Sequence, residues 1–273
     1  YGWTAPLTAS NGDAPPAELA LSDVVVFVDP LDGTREFVEG RLGNVQTLIG
    51  LCYRGRPVMG AVGLPFPPHG AREAEAVFGL VGKGIGKVGT ASTSAEGAGG
   101  SFDIVACPVP PVKQHRAGEA VSVSSGDAAA VVPAVDLAAR IFPSGGGIAR
   151  QRVGATGHKL LRVAYGDTTL SLLHDMTSLW DTAAPTALLA AMGGRVTDYF
   201  GEPLVYQTRR DALPLGNTCC VVASAPGAQR EHLAMVKALR GDGAALAYLK
   251  QYGWHGEEGA PSSAQCVDLA RDL

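Results

Sequence analysis

The chain has 273 residues, 46% hydrophobic and 18% charged, with a formal net charge of −4. That is enough apolar content to bury a sizeable core as one large or two modest domains, and the absence of long basic runs argues against a protein that tracks a nucleic-acid polymer. No apolar run approaches the roughly 20 residues of a membrane span, and an odd set of cysteines without C-x-x-C spacing (Cys52, Cys107, Cys219, Cys220, Cys266) speaks against a disulfide framework or structural zinc and for a reducing compartment.

After a polar, proline-containing start, "DVVVFVDP" predicts a buried strand and "NVQTLIGLCYRGRPVMGAVGLP" a hairpin turning at Arg54-Gly55-Arg56. "EAVFGLVGKG" predicts a further strand. Residues 89 to 119, rich in Gly, Ser, Ala and Pro, read as a long surface loop. A division near its end gives residues 1–118 as a metal-binding α+β domain and 119–273 as an α/β substrate domain. In the second part, "AVSVSS" predicts a strand, "DAAAVVPAVDLAARIF" a helix starting or bending at Pro133, and "GHKLLRVAYGD" a short helix stopped by Gly166. "TTLSLLHD" predicts a strand, and "DTAAPTALLAAMGG" a helix with Asp181 near its N-cap and Gly193 at its stop. "RVTDYFGEPLVY" and "CCVVASA" predict strands, and "GAQREHLAMVKALR" a last helix. Strands and helices mix without strict βαβ alternation, which favours an α+β layered sandwich over a dinucleotide-binding fold.

The most informative stretch is "VVVFVDPLDGTREF", residues 24 to 37. A buried strand ends in Asp29 and Asp32, Pro30 stiffens the corner, Gly33 lets the backbone turn, and Thr34 starts a short helix. Two carboxylates and the Leu31 carbonyl are hard oxygen donors suited to Mg²⁺, and the helix start at Gly33 and Thr34 offers backbone N–H groups to an anion. Metal and anion at one corner is phosphoryl chemistry; the alternative is a plain Asp-Pro-x-Asp-Gly turn. An EF-hand is excluded by the spacing of the acids, since Gly40 stands where the bidentate Glu belongs. Asp181 in "WDTAAPTALLAAMGGRVTD" is either an N-cap residue or a third carboxylate held toward the same corner. "GIGKVG" matches G-x-G-x-x-G, but no helix follows it, so dinucleotide binding is not expected.

"DPLDGTREFVEG" together with "WDTAAPTALLAAMGGRVTD" closely resembles the signature pair of the inositol monophosphatase-like, Mg²⁺-dependent, lithium-sensitive phosphatases. "VVVFVDPLDGTREFVEGRLGNVQTLIGLCYRGRPVMGAVGLP" and "RVGATGHKLL" look most like its 3'(2'),5'-bisphosphate nucleotidase branch, which converts 3'-phosphoadenosine 5'-phosphate to AMP. The resemblance implies a layered α-β-α-β-α sandwich. It implies that Asp29, Asp32, Asp181 and the Leu31 carbonyl bind Mg²⁺, that Thr34 orients the attacking water, and that Gly33, Thr34, Ser124, Lys159 and Asp181 hold the phosphorylated nucleotide. The chemistry implied is in-line attack of metal-activated water on a phosphomonoester.

Two departures accompany the resemblance. Ser125, Gly126 and Asp127 stand where the branch usually carries an Arg and a His, which sets an acid where a phosphate ligand is expected. The family's upstream Glu and Asp find no match among the 28 residues before Asp29, Glu18 and Asp13 lying in no corresponding motif. The chain opens at Tyr1, not Met, which leaves a processed or missing leader open. The resulting expectation is a 3'-phosphatase of a bisphosphorylated nucleotide, incomplete as this chain alone. Its rivals are an inositol phosphate phosphatase and an inactive subunit whose bare first-sheet face takes a protein partner.

Overall fold

The structure, a computed structural model, describes residues 20–67, 74–92, 102–116, 119–125, 131–142, 148–173, 177–206, 216–217 and 219–244. The first half is an antiparallel meander of β1 (Val24–Asp32), β2 (Gln46–Tyr53), β3 (Arg56–Leu64), β4 (Glu75–Leu80), β5 (Gly84–Ser92) and β6 (Phe102–Ala106), hydrogen-bonded in chain order. The short helix α1 (Thr34–Val38) sits at the end of β1. The expected hairpin turns at Arg54 and Gly55, both with positive φ.

The second half is a five-stranded sheet in the order β10-β11-β9-β7-β8, formed by β7 (Ser122–Ser125), β8 (Ala149–Arg152), β9 (Leu170–Leu173), β10 (Arg195–Thr197) and β11 (Val221–Ser224). β8, β7 and β9 run parallel, and β11 and β10 are antiparallel additions. Its helices are α2 (Val132–Ile141), with a proline in its first turn, α3 (Thr156–Ala164), α4 (Leu179–Ala191) and α5 (Gln229–Gly241).

The cores define the layers. Leu48, Val62 and Val77 of the first sheet pack against Leu161 of α3 and Ala184 and Leu188 of α4. The other side of the same helices, with Leu160, Val163 and Leu189, packs on Leu173, Val221 and Ala223 of the second sheet. α2 and α5 close the far face of that sheet over Val123, Leu170, Leu172 and Val222. This is the layered α+β fold expected, in a β-α-β-α run among the described residues. The opposite face of the first sheet presents Val26, Val28, Ile49 and Met59 at its surface, each about half exposed.

The alanine-rich face of α4 explains how close it lies to the first sheet. A Cβ at Gly50 would stand 2.6 Å from the Ala184 nitrogen, and one at Gly60 2.2 Å from the Ala184 oxygen. Helix backbone therefore rests directly on β2 and β3, and only glycine fits beneath it. That approach fixes the N-terminus of α4, and Asp181 with it, beside the end of β1.

Some expectations are corrected. Residues 84–92 and 102–106, partly inside the expected 89–119 loop, are strands, because pairing of β5 with β4 and of β6 with β5 satisfies their backbone groups even though the side chains give no periodicity. "GIGKVG" lies within β5, which runs on to Ser92, so the motif itself opens no helix, in keeping with the expectation. Only Arg195–Thr197 of "RVTDYFGEPLVY" is strand; the chain then turns at Gly201, held by the Asp198 carboxylate, which accepts the N–H groups of Phe200 and Glu202 at 2.9 Å each. Cys219 is disulfide-bonded, against the reading of the cysteine count, so that count does not specify a reducing compartment. Asp13, Glu18, Gly126, Asp127 and the tail from residue 245 lie outside the described residues.

Candidate metal centre

Asp29 and Asp32 are three residues apart, and in a regular strand such an odd spacing sends side chains to opposite faces. The ladder shows how they meet. Asp29 stands opposite Leu48 and Asp32 opposite Gln46, so three steps of β1 face two of β2. This bulge rotates the strand end and turns both carboxylates to one side. Pro30 has no N–H to give to the ladder, and its carbonyl instead accepts the Thr47 hydroxyl at 3.0 Å. Gly33, at φ 83°, makes the left-handed turn into α1.

Each carboxylate is held by backbone. Asp29 accepts the Leu31 N–H at 3.0 Å. Asp32, 5% exposed, lies at the N-terminus of α3 and accepts Thr156 N–H at 3.3 Å and Gly157 N–H at 2.8 Å. Asp181, in the first turn of α4, accepts Ser178 N–H at 2.8 Å. The expected N-cap role thus belongs to Ser178, with Asp181 in the third position of the helix. One oxygen of each of the three carboxylates lies within 4.8 Å of the others. The Leu31 carbonyl accepts the Thr34 hydroxyl at 3.2 Å, which places that exposed hydroxyl at the rim.

The electrostatics of the corner are those of acids short of positive charge. Burial, then the neighbouring Asp181 and Asp29, push Asp32 up to about 7 despite the two N–H donors. Asp181 is pushed up as well, first by burial and then by Asp29, with Ser178 N–H and Lys159 opposing. A divalent cation relieves both burial and repulsion at once, and hard carboxylate oxygens at this spacing are the donors that Mg²⁺ and similar ions take.

The remaining expected residues divide. Lys159 is buried on α3 and within electrostatic range of Asp181, so the solvated-lysine alternative is set aside. Ser124 is fully buried in β7 and its hydroxyl has no hydrogen-bond partner among the described residues; it presents no surface to a ligand. Residues missed in the sequence surround Asp32. Ala155 enters α3 with φ 56°, a strained value for a residue with a Cβ, and its Cβ would meet a Cβ at Gly33 at 2.9 Å. The "GATG" loop thus interlocks with the "DPLDGT" corner and aims the two N–H groups at Asp32. The glycine spacing beside Lys159 was the available signal. Gln46, a polar residue on the inward period-2 face of an otherwise apolar strand, was a second.

The description "Inositol monophosphatase family" matches residues 7–234 of the chain. The chain is 31% identical over 214 residues to 3'(2'),5'-bisphosphate nucleotidase 1 of Dictyostelium discoideum, covering 76% of this chain and 62% of that protein. It is 31% identical over 185 residues to the Homo sapiens protein of the same name, covering 67% and 53%. It therefore spans little more than half the length of these curated relatives. Among solved structures, CysQ from Bacteroides thetaiotaomicron aligns with a TM-score of 0.54 at 24% identity over 74% of this chain and 70% of that one. Inositol monophosphatase from Anabaena aligns with a TM-score of 0.53 at 22% identity over 80% and 74%.

Proposed function

The chain belongs to the inositol monophosphatase family, and from that premise we propose that it is a metal-dependent phosphomonoesterase that removes the 3'-phosphate of 3'-phosphoadenosine 5'-phosphate to leave AMP. The observation that carries the reading is the convergence of Asp29, Asp32 and Asp181 within 4.8 Å from two elements distant in sequence. The substrate class rests on the relatives named 3'(2'),5'-bisphosphate nucleotidase and on the buried Lys159 beside the acids.

Asp29, Asp32, Asp181 and the Leu31 carbonyl would hold the cation, Mg²⁺ in this reading. When bound, the cation lowers the pKa of water and neutralises charge on the phosphoryl oxygens. The chain's own groups orient and bind. Thr34, already hydrogen-bonded to the Leu31 carbonyl, directs the attacking water from the rim. The N–H groups of Gly33 and Thr34 take phosphoryl oxygens, and Lys159 supplies positive charge to the second phosphate. An inactive assembly subunit finds no support: such a protein is under no constraint to keep three aspartates, a bulge and two aimed N–H groups on one point. The exposed apolar face of the first sheet remains the place for a protein partner.

The deciding measurement is phosphate release from 3'-phosphoadenosine 5'-phosphate and from inositol 1-phosphate, with and without Mg²⁺ and with added Li⁺. Mg²⁺-dependent, lithium-inhibited turnover with preference for the nucleotide is expected. Equal or better turnover of the inositol ester moves the substrate to the inositol phosphates, and release that is indifferent to Mg²⁺ overturns the metal centre.

A further inference from the structure

The geometry points to Gln46 as the residue that positions the Asp32 carboxylate for metal binding, an inference that rests on the metal-centre reading above. Gln46 opens β2 and stands directly opposite Asp32 in the ladder, just beyond the bulge. It is fully buried, and neither Oε1 nor Nε2 has a hydrogen-bond partner among the described residues. A buried carboxamide left without a protein partner at both ends is rare and calls for a physical reason.

That reason lies across the gap. A Cβ at Gly157 would stand 2.5 Å from Gln46 Oε1 and 2.8 Å from Asp32 Oδ2, so the amide and the carboxylate flank one small space that glycine keeps open. The other inward side chains of β2 at Leu48 and Cys52 are apolar, so packing alone does not call for an amide. Asp32 Oδ2 already accepts Gly157 N–H, and Oδ1 accepts Thr156 N–H. Each oxygen keeps further acceptor capacity. With a cation bound, turning the Gln46 terminal torsion, a soft one, presents Nε2 to Oδ2 and fixes the carboxylate so that its remaining capacity faces Asp29 and Asp181; in the metal-free fold the amide makes no such bond. Gln46 acts through Asp32 and touches no reacting atom. It is a positioning residue of the kind that orients a metal ligand from behind.

The test compares the full chain with Gln46→Met, which keeps length and volume and removes the amide. Mn²⁺ binding is followed by the spin resonance of the free ion, and thermal unfolding is recorded without metal. The Mn²⁺ dissociation constant should rise about tenfold, while the metal-free Tm stays level or rises, because the replaced amide had no partner to lose. Mn²⁺ binding within twofold of the parent chain overturns the inference, and so does weaker binding accompanied by a lower metal-free Tm, which marks a packing role. Should Gln46→Met fail to fold, the parent chain decides. The Gln46 side-chain amide protons should shift on Mg²⁺ titration and saturate together with the Gly157 backbone amide, and signals that do not move overturn the role. A parent chain that binds neither ion brings down the metal centre and this inference together, whereas a failure confined to the variant leaves the metal centre standing.

Discussion

Asp32 and Glu36 are four residues apart and equally buried, each 5% exposed, yet their surroundings are opposite. Glu36 accepts two hydrogen bonds at 2.7 Å from the Arg41 guanidinium and one at 2.7 Å from the Asn44 amide, and the Arg41 hydrogen bond is the main cause that holds it down to about 2. Asp32 has two backbone N–H donors and two carboxylate neighbours, and burial above all pushes it up to about 7. Both are closed to solvent, but burial is the leading cause at Asp32 and a secondary one at Glu36, so exposure alone does not distinguish brace from site. The source of positive charge does. The chain supplies it for Glu36, which ties α1 to the segment after it, whereas at Asp32 a bound cation would have to supply it.

The largest expected effect breaks the two apart. Asp32→Asn should reduce phosphate release by at least about 10³-fold, because a ligand of a coupled site is lost. The metal-free Tm should hold or rise, since an ionised carboxylate that burial disfavours is gone. Glu36→Gln should do the reverse: stability falls by about 2 kcal/mol as Arg41 and Asn44 lose a charged partner, with a much smaller effect on turnover once folded. Thermal unfolding and phosphate release on the two variants measure both axes. Parallel losses in the two would erase the distinction.

A smaller effect sharpens it through two glycines three residues apart, Gly154 just before α3 and Gly157 in its first turn. An added Cβ at Gly157 meets Gln46 Oε1, Asp32 Oδ2 and Leu48 Cδ2 at 2.5 to 2.8 Å, and one at Gly154 meets the Glu36 carboxyl carbon at 2.0 Å. Gly157→Ala should weaken Mn²⁺ binding by roughly 10–100-fold by displacing the carboxylate and its N–H donor. Gly154→Ala should lower stability by about 1–3 kcal/mol, as overpacking does, and leave Mn²⁺ affinity within a few-fold. Calorimetric titration and thermal unfolding separate them. Equal Mn²⁺ affinities for the two variants would show that the α3 N-terminus does not position Asp32.

This pairing also marks where sequence reading ended. The strand ending in Asp29 and Asp32, the turn at Gly33, the α4 boundary at Gly193 and the layered fold are carried by local signals: apolar runs, glycines with positive φ and a capping pattern. Asp181 beside Asp32 follows from a family resemblance, since no local rule joins residues about 150 apart. What stayed hidden depends on pairing across the fold. The bulge exists only relative to β2, the two N–H groups reach Asp32 from across a span of more than 120 residues, and "TREFVEGRLGN" does not say that Glu36 turns inward to Arg41 while Glu39 stays at the surface. The strands at 84–92 and 102–106 escaped for the same reason, being the last two strands of the sheet, low in periodicity and specified by their partners.

The most modest prediction is pH dependence, and it separates the two acids by sign. Glu36 titrates at about 2 in the fold against an ordinary 4.5. Its contribution is therefore complete above about pH 4.5 and is lost as pH falls from there toward 2. Asp32 is raised from 3.8 to about 7, so between those values the folded chain holds a proton that the unfolded chain has released, and its contribution to metal-free stability declines as pH rises through this window. A cation needs the ionised form. Above about pH 7 it binds without displacing that proton; below, each binding event must expel one, and the apparent Mn²⁺ affinity should fall by up to about tenfold per pH unit. Asp181, raised too, steepens the fall as its own proton joins. The measurement is Mn²⁺ titration at steps from pH 8 to pH 5 in two buffers of different ionisation enthalpy, which counts protons released per ion. Proton release near zero at pH 8 and approaching one or more at pH 6 is expected, with Glu36→Gln following the same curve. A flat affinity across this range would mean that Asp32 is already ionised in the metal-free fold, and that the contrast with Glu36 lies in geometry alone.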